Sequence, residues 1–299
     1  MASEQYQRLV QRLWAAKGTY REVPVAKLRE GMEQMSFPVD DDIDIEPIEV
    51  ASCPAEWVRA PGVDLESAVL YLHGGGYVMG SLVTHRKLAG DLSRAAGVSV
   101  LLLDYPLAPE HPYPAAVDTA VAAFDALAAD LGPDRLVVAG DSAGGGLTMA
   151  TVLALRDRGH DLPAAAVGLS PWVELVDCDH RHGPLAELDP IIHAEGMTRM
   201  RDMYAGETDP ADPLISPLRA DLTGLPPLLI QVGEAEVLLP ESQRLAERAE
   251  AAGVEVTLEQ WPEMPHVWQV FAGRVPEATE AVDGIGRFVA GHLVAPASA

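Results

Sequence analysis

The chain has 299 residues, 48% of them hydrophobic, and its 45 Asp and Glu against 21 Lys and Arg give a formal net charge of -24. That length and apolar content suit one large α/β domain or two ordinary ones with a sizeable core. The acidic balance argues against nucleic acid and anionic membranes as partners, since both need basic patches, and it disfavours highly anionic substrates.

No apolar run approaches the roughly 20 residues that span a bilayer. The opening MASEQYQRLVQRLWAAKG lacks the apolar core of a signal peptide. Cys53 and Cys178 match no metal or redox spacing and read as free thiols of a reducing compartment. The expectation is a soluble cytoplasmic protein with no membrane span.

In chain order, residues 1–35 read as helical and amphipathic, with Leu9, Val10, Leu13 and Trp14 on one face. VDDDIDIEPIEV (39–50) alternates into a strand, and the first strands, near 46–58, suit an antiparallel edge. From residue 68 short β-branched or leucine-rich runs alternate with alanine-rich helical ones. The spacing predicts strands at 68–72, 98–103, 135–140, 164–169, 227–232 and 254–260, with helices near 84–96, 115–131, 143–158, 241–252 and 277–293. Such alternation means βαβ units and a parallel sheet buried on both faces. The segment 178–213 breaks the rhythm as an insertion between two core strands, with its own helix near 196–205.

The most informative stretch is LVVAGDSAGGGLTMA (136–150). A strand runs into Gly140-Asp141-Ser142-Ala143-Gly144 and a helix follows, which is G-x-S-x-G in the strand–turn–helix setting that lifts a serine clear of the sheet. The plain alternatives are a glycine-rich turn or a phosphate cradle, but the latter wants G-x-G-x-x-G, which GDSAGGG does not supply. About 70 residues earlier HGGG (73–76) follows a strand. A serine attacking an ester makes an oxyanion, and glycine backbone can bring N–H donors close to it. Gly75 and Gly76, with Gly74 a further candidate, and Ala143 after the nucleophile are the expected donors. His73 is expected to brace the loop.

Hydrolases with such an elbow run Ser, then acid, then His. His266, in WPEMPHVWQVF after the last strand, is the expected base, and His292 at the end of the last helix is expected to be solvated. The loop GEAEVLLPES (233–242) offers Glu234, Glu236 and Glu241. Glu236, three residues after Gly233, is the chosen acid and Glu234 the runner-up. Glu241 is expected to cap the next helix and Glu263 to point outward.

Tyr77, Trp172, Met200, Tyr204 and Val237 are the candidate pocket residues, with Met197, Met203, Met32 and Met35 as further soft apolar groups. Ordinary packing between cap and body is the competing reading of the methionine stripe. His180, His182 and His193 with Asp177 and Asp179 fit no established ligand spacing, so no metal is assigned and a solvated loop is expected.

Together, HGGGYVMGS (73–81), DYPLAPEHPYPAA (104–116), GDSAGGG (140–146), SPW (170–172), DPLISPL (212–218) and VGEAEVLL…MPH (232–239, 264–266) resemble the bacterial hormone-sensitive-lipase-like esterases over roughly residues 46–290. The resemblance implies an α/β-hydrolase fold: residues 1–40 as cap helices and 41–299 as the catalytic domain, with 178–213 inserted as the second part of the cap. It implies a serine carboxylesterase acting on short- to medium-chain esters or lactones with no cofactor, with Ser142, Glu236 and His266 at the family's catalytic positions. Most members carry aspartate where Glu236 stands, arginine where Pro106 stands, and many an acidic residue at Pro240. A lactone hydrolase, a biosynthetic hydrolase or cyclase, and a non-catalytic small-molecule binder stay open as alternatives. The C-terminal helix and the edge strand could pair two copies as a homodimer.

Overall fold

The computed structural model describes residues 2–17, 22–177 and 179–294. Cys178 lies outside the described residues, as do the side chains of Asp179 and His180. In chain order the elements are α1 (Glu4–Ala16), α2 (Val25–Gln34), β1 (Asp44–Val50), β2 (Cys53–Arg59), β3 (Asp64–Leu72), α3 (Leu82–Ala96), β4 (Val98–Leu103), α4 (Ala115–Leu131), β5 (Leu136–Asp141), α5 (Ala143–Arg158), β6 (Ala165–Leu169), α6 (Leu185–Leu188), α7 (Ala194–Ala205), β7 (Leu228–Gly233), α8 (Leu239–Ala251), β8 (Val256–Trp261) and α9 (Pro276–His292).

The strands form one eight-stranded sheet in the order β1-β2-β4-β3-β5-β6-β7-β8. β1 and β2 are antiparallel and β2 is antiparallel to β4, whereas every pair from β4 to β8 is parallel. Side chains alternate across a strand, so Leu70 and Leu72 enter one apolar layer with α4 and α5, while Val69 and Tyr71 enter the opposite layer with α3 and α9. Burying each such leucine or valine contributes about 1.5–3 kcal/mol. β4, β5 and β7 are buried along their full length, as the unalternating apolar runs predict. Among the described residues no helix is long and apolar enough to cross a membrane.

Register places the functional loops. β3 pairs with β5 as far as Leu72 opposite Gly140, so the glycine loop after β3 and the serine turn after β5 leave the sheet side by side. Gly233 lies opposite Trp261 at the ends of β7 and β8, which brings the loops bearing Glu236 and His266 together. All four loops open at the carboxyl edge, where parallel α/β sheets present their sites.

The N-terminal segment docks over this edge. Ser3 caps α1 and bonds Glu277 at the start of α9, and Leu9, Val10 and Leu13 pack against the apolar cluster that includes Tyr6, Trp268 and Phe271. Trp14, expected on the same face, is 40% exposed with Lys17 over its ring. Arg29 of α2 donates to the carbonyls of Val78 and Ala108 at 2.8 and 3.0 Å. Met35 is exposed, so it takes no part in an apolar pocket.

Candidate active site

Ser142 occupies the single residue between β5 and α5 with φ 53° and ψ -120°, a conformation that costs a non-glycine residue about 1–3 kcal/mol. Its surroundings hold it there. Its N–H donates to Leu169 O at 2.8 Å, and its carbonyl accepts from Gly146 N–H at 3.0 Å and Trp172 N–H at 2.9 Å. Gly144 follows because a Cβ there would strike the carbonyl oxygens of Leu72 and His73. The helix start therefore packs directly on the backbone that leads into the glycine loop.

His266 Nε2 lies 2.8 Å from Ser142 Oγ, and its Nδ1 lies 2.7 Å from Glu236 Oε2. His266 is 5% exposed and Glu236 fully buried. An ionised carboxylate can only accept, so Nδ1 carries the proton and Nε2 is left to accept from the serine hydroxyl. Burial opposes charge on the imidazole, but the Glu236 carboxylate, with Asp189 and Asp141 further off, outweighs it and holds the His266 pKa above its usual value.

Glu236 is itself held twice: Oε1 accepts from Ser170 Oγ and from Gly233 N–H, each at 2.7 Å. Ser170 Oγ also accepts Val267 N–H at 3.1 Å, and Ala235 N–H reaches Met264 O at 3.0 Å. The loops bearing Glu236 and His266 are thus sewn together. The other carboxylates of the region lie elsewhere. Glu234 is exposed, and Glu263, also exposed, accepts Ala2 N–H at 3.2 Å.

Glu241 does not cap α8, contrary to expectation. Its fully buried carboxylate pairs with Arg181 Nε and NH2 at 3.1 and 2.5 Å and accepts the N–H groups of Val173 and Glu174. A charge that deep is tolerated only beside a partner, and Arg181 of the insertion is that partner.

Among the described residues the N–H groups of Gly75, Gly76 and Ala143 donate to nothing. Gly74 corrects the expectation: its N–H is spent on Asp141 Oδ1 at 3.0 Å. Asp141 also accepts from Tyr71 OH at 2.9 Å and sits 3.2 Å from His85 Nε2. Burial opposes its charge, but His85 and these hydrogen bonds hold its carboxyl below the usual range. His73 braces the loop through Nδ1 to Gly74 O at 2.8 Å and stacks on Tyr105 with centroids 4.3 Å apart. Burial, aided by repulsion from His85, lowers its pKa to about 3, so it is neutral.

Tyr77, Trp172, Met200, Tyr204 and Val237 come together in one apolar cluster. Tyr77 and Tyr204 stack with centroids 3.7 Å apart and planes 5° from parallel, and Trp172 tilts against Tyr77 at 5.9 Å. A Cβ on Gly76 would meet Met200 Sδ, so α7 rests on the glycine loop itself. All five side chains are 9% exposed or less, a packed wall.

The insertion is not a uniformly solvated loop, as the sequence suggested. His182 is exposed, yet Arg181 and Asp189 are buried. Among the described residues no three His, Cys, Asp or Glu groups could hold a metal ion. His292, expected to be solvated, is half-buried at the end of α9, where Nδ1 bonds Phe288 O at 2.8 Å. Sequence reasoning passed over Ser170, Asp141, Arg181 and Asp189. Ser170 opens S-P-W, and Asp141 lies within G-D-S-A-G beside the candidate nucleophile, where a polar residue is a signal; Arg181 and Asp189 sit in a stretch without periodicity.

A family model described as alpha/beta hydrolase fold matches residues 69–270. The chain is 43% identical over 270 residues to an acetyl-hydrolase of Streptomyces hygroscopicus, covering 90% of this chain and 88% of that protein. It is 34% identical to an esterase of Acinetobacter venetianus, covering 87% of each. The crystal structure of an esterase from the bacterial hormone-sensitive lipase family superposes with a TM-score of 0.93 at 45% identity, covering 98% of this chain and 100% of that one. That of the esterase EstE5 gives 0.94 at 45%, covering 97% and 99%.

Proposed function

The chain belongs to the alpha/beta hydrolase family, among the bacterial hormone-sensitive-lipase-like esterases, and from that premise we propose a serine carboxylesterase that cleaves short- to medium-chain esters through an acyl-enzyme on Ser142. The observation that carries this reading is the unbroken chain Ser142 Oγ, His266, Glu236 at 2.8 and 2.7 Å. The idle N–H groups of Gly75, Gly76 and Ala143 support it. Ser142 attacks the ester carbonyl as its proton passes to His266 Nε2. Glu236 keeps the tautomer and stabilises the imidazolium. The three N–H donors take the oxyanion, and such donors are each worth about 2.7–4 kcal/mol in related chemistry. Collapse expels the alcohol with the proton from His266. Water, activated by the same imidazole, then releases the acid.

A short acyl group suits the packed Tyr77–Tyr204–Trp172 wall and the acetyl-hydrolase relative. Residues 1–40 and 178–213 act as the cap in this reading, and the protein works in the cytoplasm, in keeping with cysteines that read as free thiols. The test is hydrolysis of p-nitrophenyl esters from acetate to dodecanoate by the wild type and Ser142→Ala. Activity peaking at short chains and lost in the variant is the expected result. Undiminished activity in Ser142→Ala overturns the assignment, and inactivity toward every chain length points to a lactone or biosynthetic substrate or to a binder.

A further inference from the structure

Asp189 follows α6 in the insertion, far in sequence from Ser142, Glu236 and His266. It is fully buried. Its Oδ2 accepts the N–H of Val237, the residue after Glu236, at 3.0 Å. Its Oδ1 accepts Ile191 N–H at 2.8 Å and Ile192 N–H at 2.9 Å. Its backbone carbonyl accepts Lys17 Nζ at 2.6 Å from the N-terminal segment. Both parts of the expected cap and the acid loop therefore meet at one residue.

No lysine or arginine nitrogen lies within ion-pair distance of the Asp189 carboxylate among the described residues. A buried carboxylate needs donors to meet its charge, and an apolar residue in its place would strand the N–H groups of Val237, Ile191 and Ile192. Its charge also bears on the His266 imidazole, which becomes a cation in the proposed reaction.

We propose that Asp189 is a positioning residue for the reaction, fixing the backbone from which Glu236 reaches His266 and adding a further buried negative charge to the field at the imidazolium. This rests on the reading of Ser142, Glu236 and His266 as the reacting set. Glutamate carries one more rotatable bond than aspartate, so its reach depends on a fixed backbone. Gly233 and Ser170 hold its Oε1, and Asp189 holds the peptide on its far side. The charged and titratable groups that bear on His266 are Glu236, Asp189 and Asp141. Around Asp189 they are Lys17 and His193 as well as His266.

The experiment measures kcat, KM and the pH profile of kcat/KM on p-nitrophenyl butyrate for the wild type, Asp189→Asn, Asp189→Glu and Ser142→Ala. Asp189→Asn is expected to lower kcat about tenfold with little change in KM, and to move the acid limb of kcat/KM to lower pH, because removing a nearby negative charge disfavours imidazolium. Asp189→Glu keeps the charge but misplaces the carboxylate, so its kcat falls while the limb stays closer to the wild-type position. A folded Asp189→Asn with unshifted limb and unchanged kcat overturns the proposal, provided Ser142→Ala is inactive. Full activity in Ser142→Ala would instead sink the underlying assignment. If neither Asp189 variant folds, amide hydrogen exchange of the wild type decides: the Val237 N–H must be among the slowly exchanging amides of its loop, and rapid exchange there refutes the strut.

Discussion

The Ser170 hydroxyl donates to Glu236 Oε1 at 2.7 Å while the same oxygen accepts the N–H of Val267 at 3.1 Å. One small side chain at the end of β6 thus spans the loops that carry Glu236 and His266. Hydrogen bonds to charged groups contribute about 1.5–3 kcal/mol net. Ser170→Ala should lower thermal stability by an amount in that range, and kcat by about tenfold with KM nearly unchanged, since about 1.4 kcal/mol of barrier is a factor of ten. Steady-state kinetics and a melting curve read both effects; wild-type kcat would show that Gly233 alone suffices to aim Glu236.

Glu236→Gln preserves shape but lets the amide donate toward Nδ1, which selects the wrong imidazole tautomer. In the related aspartate-to-asparagine case that change costs about 10⁴ in kcat, and a loss of roughly 10³-fold or more is expected here. Glu234→Ala, at an exposed position, should retain nearly full activity. A larger loss at Glu234 than at Glu236 would reverse the acid assignment.

The pH profile follows from the sign of the His266 shift. In the proposed mechanism the neutral imidazole is the base, so kcat/KM should fall as the pH drops through the His266 pKa. That value lies above the usual one of about 6.5 because Glu236 favours the cation more than burial disfavours it. The acid limb should therefore have its half-point above pH ~6.5, and Glu236→Gln should move it downward in what activity remains. By linkage, His266 contributes stability that is complete below about pH 6.5 and lost as the pH rises through its folded value. An acid limb centred well below 6.5 in the wild type would contradict this electrostatic account.

Breaking the buried pair between Arg181 and Glu241 exposes the cost of an uncompensated charge. Arg181→Met should destabilise the protein by about 3–5 kcal/mol. The double variant Arg181→Met, Glu241→Leu should recover part of that loss, because neither charge is then stranded. Chemical denaturation of the two variants makes the comparison. A double variant less stable than the single one would mean that Glu241 serves Val173 and Glu174 N–H more than it serves Arg181.

Much of this molecule is legible in its sequence. The strand and helix runs from residue 68 onward are local, periodic patterns, and each matches an element of the sheet or its covering layers. Ser142 and the glycines of 74–76 announce themselves because a strained turn and a close backbone approach demand small residues at adjacent positions. Gly74 shows the limit of that logic. Three glycines in a row look like three donors, but only the fold reveals that Asp141 consumes the first.

What the sequence determined by itself is therefore the strands and main helices from residue 68 onward, the turn at Ser142 and the loops that end β3, β5, β7 and β8, since these depend on backbone preference and hydrophobic period over short spans. What only the tertiary structure decided is which side chains meet across those loops. The β7–β8 register brings the two loops together, and Ser170 and Gly233 turn Glu236 toward His266 while Glu234 stays exposed. Ser170, Arg181 and Asp189 act through partners 48 to 66 residues away or more. A hydrogen bond or buried ion pair over such a separation leaves no periodic trace in the chain; it exists only once the sheet has fixed the distance.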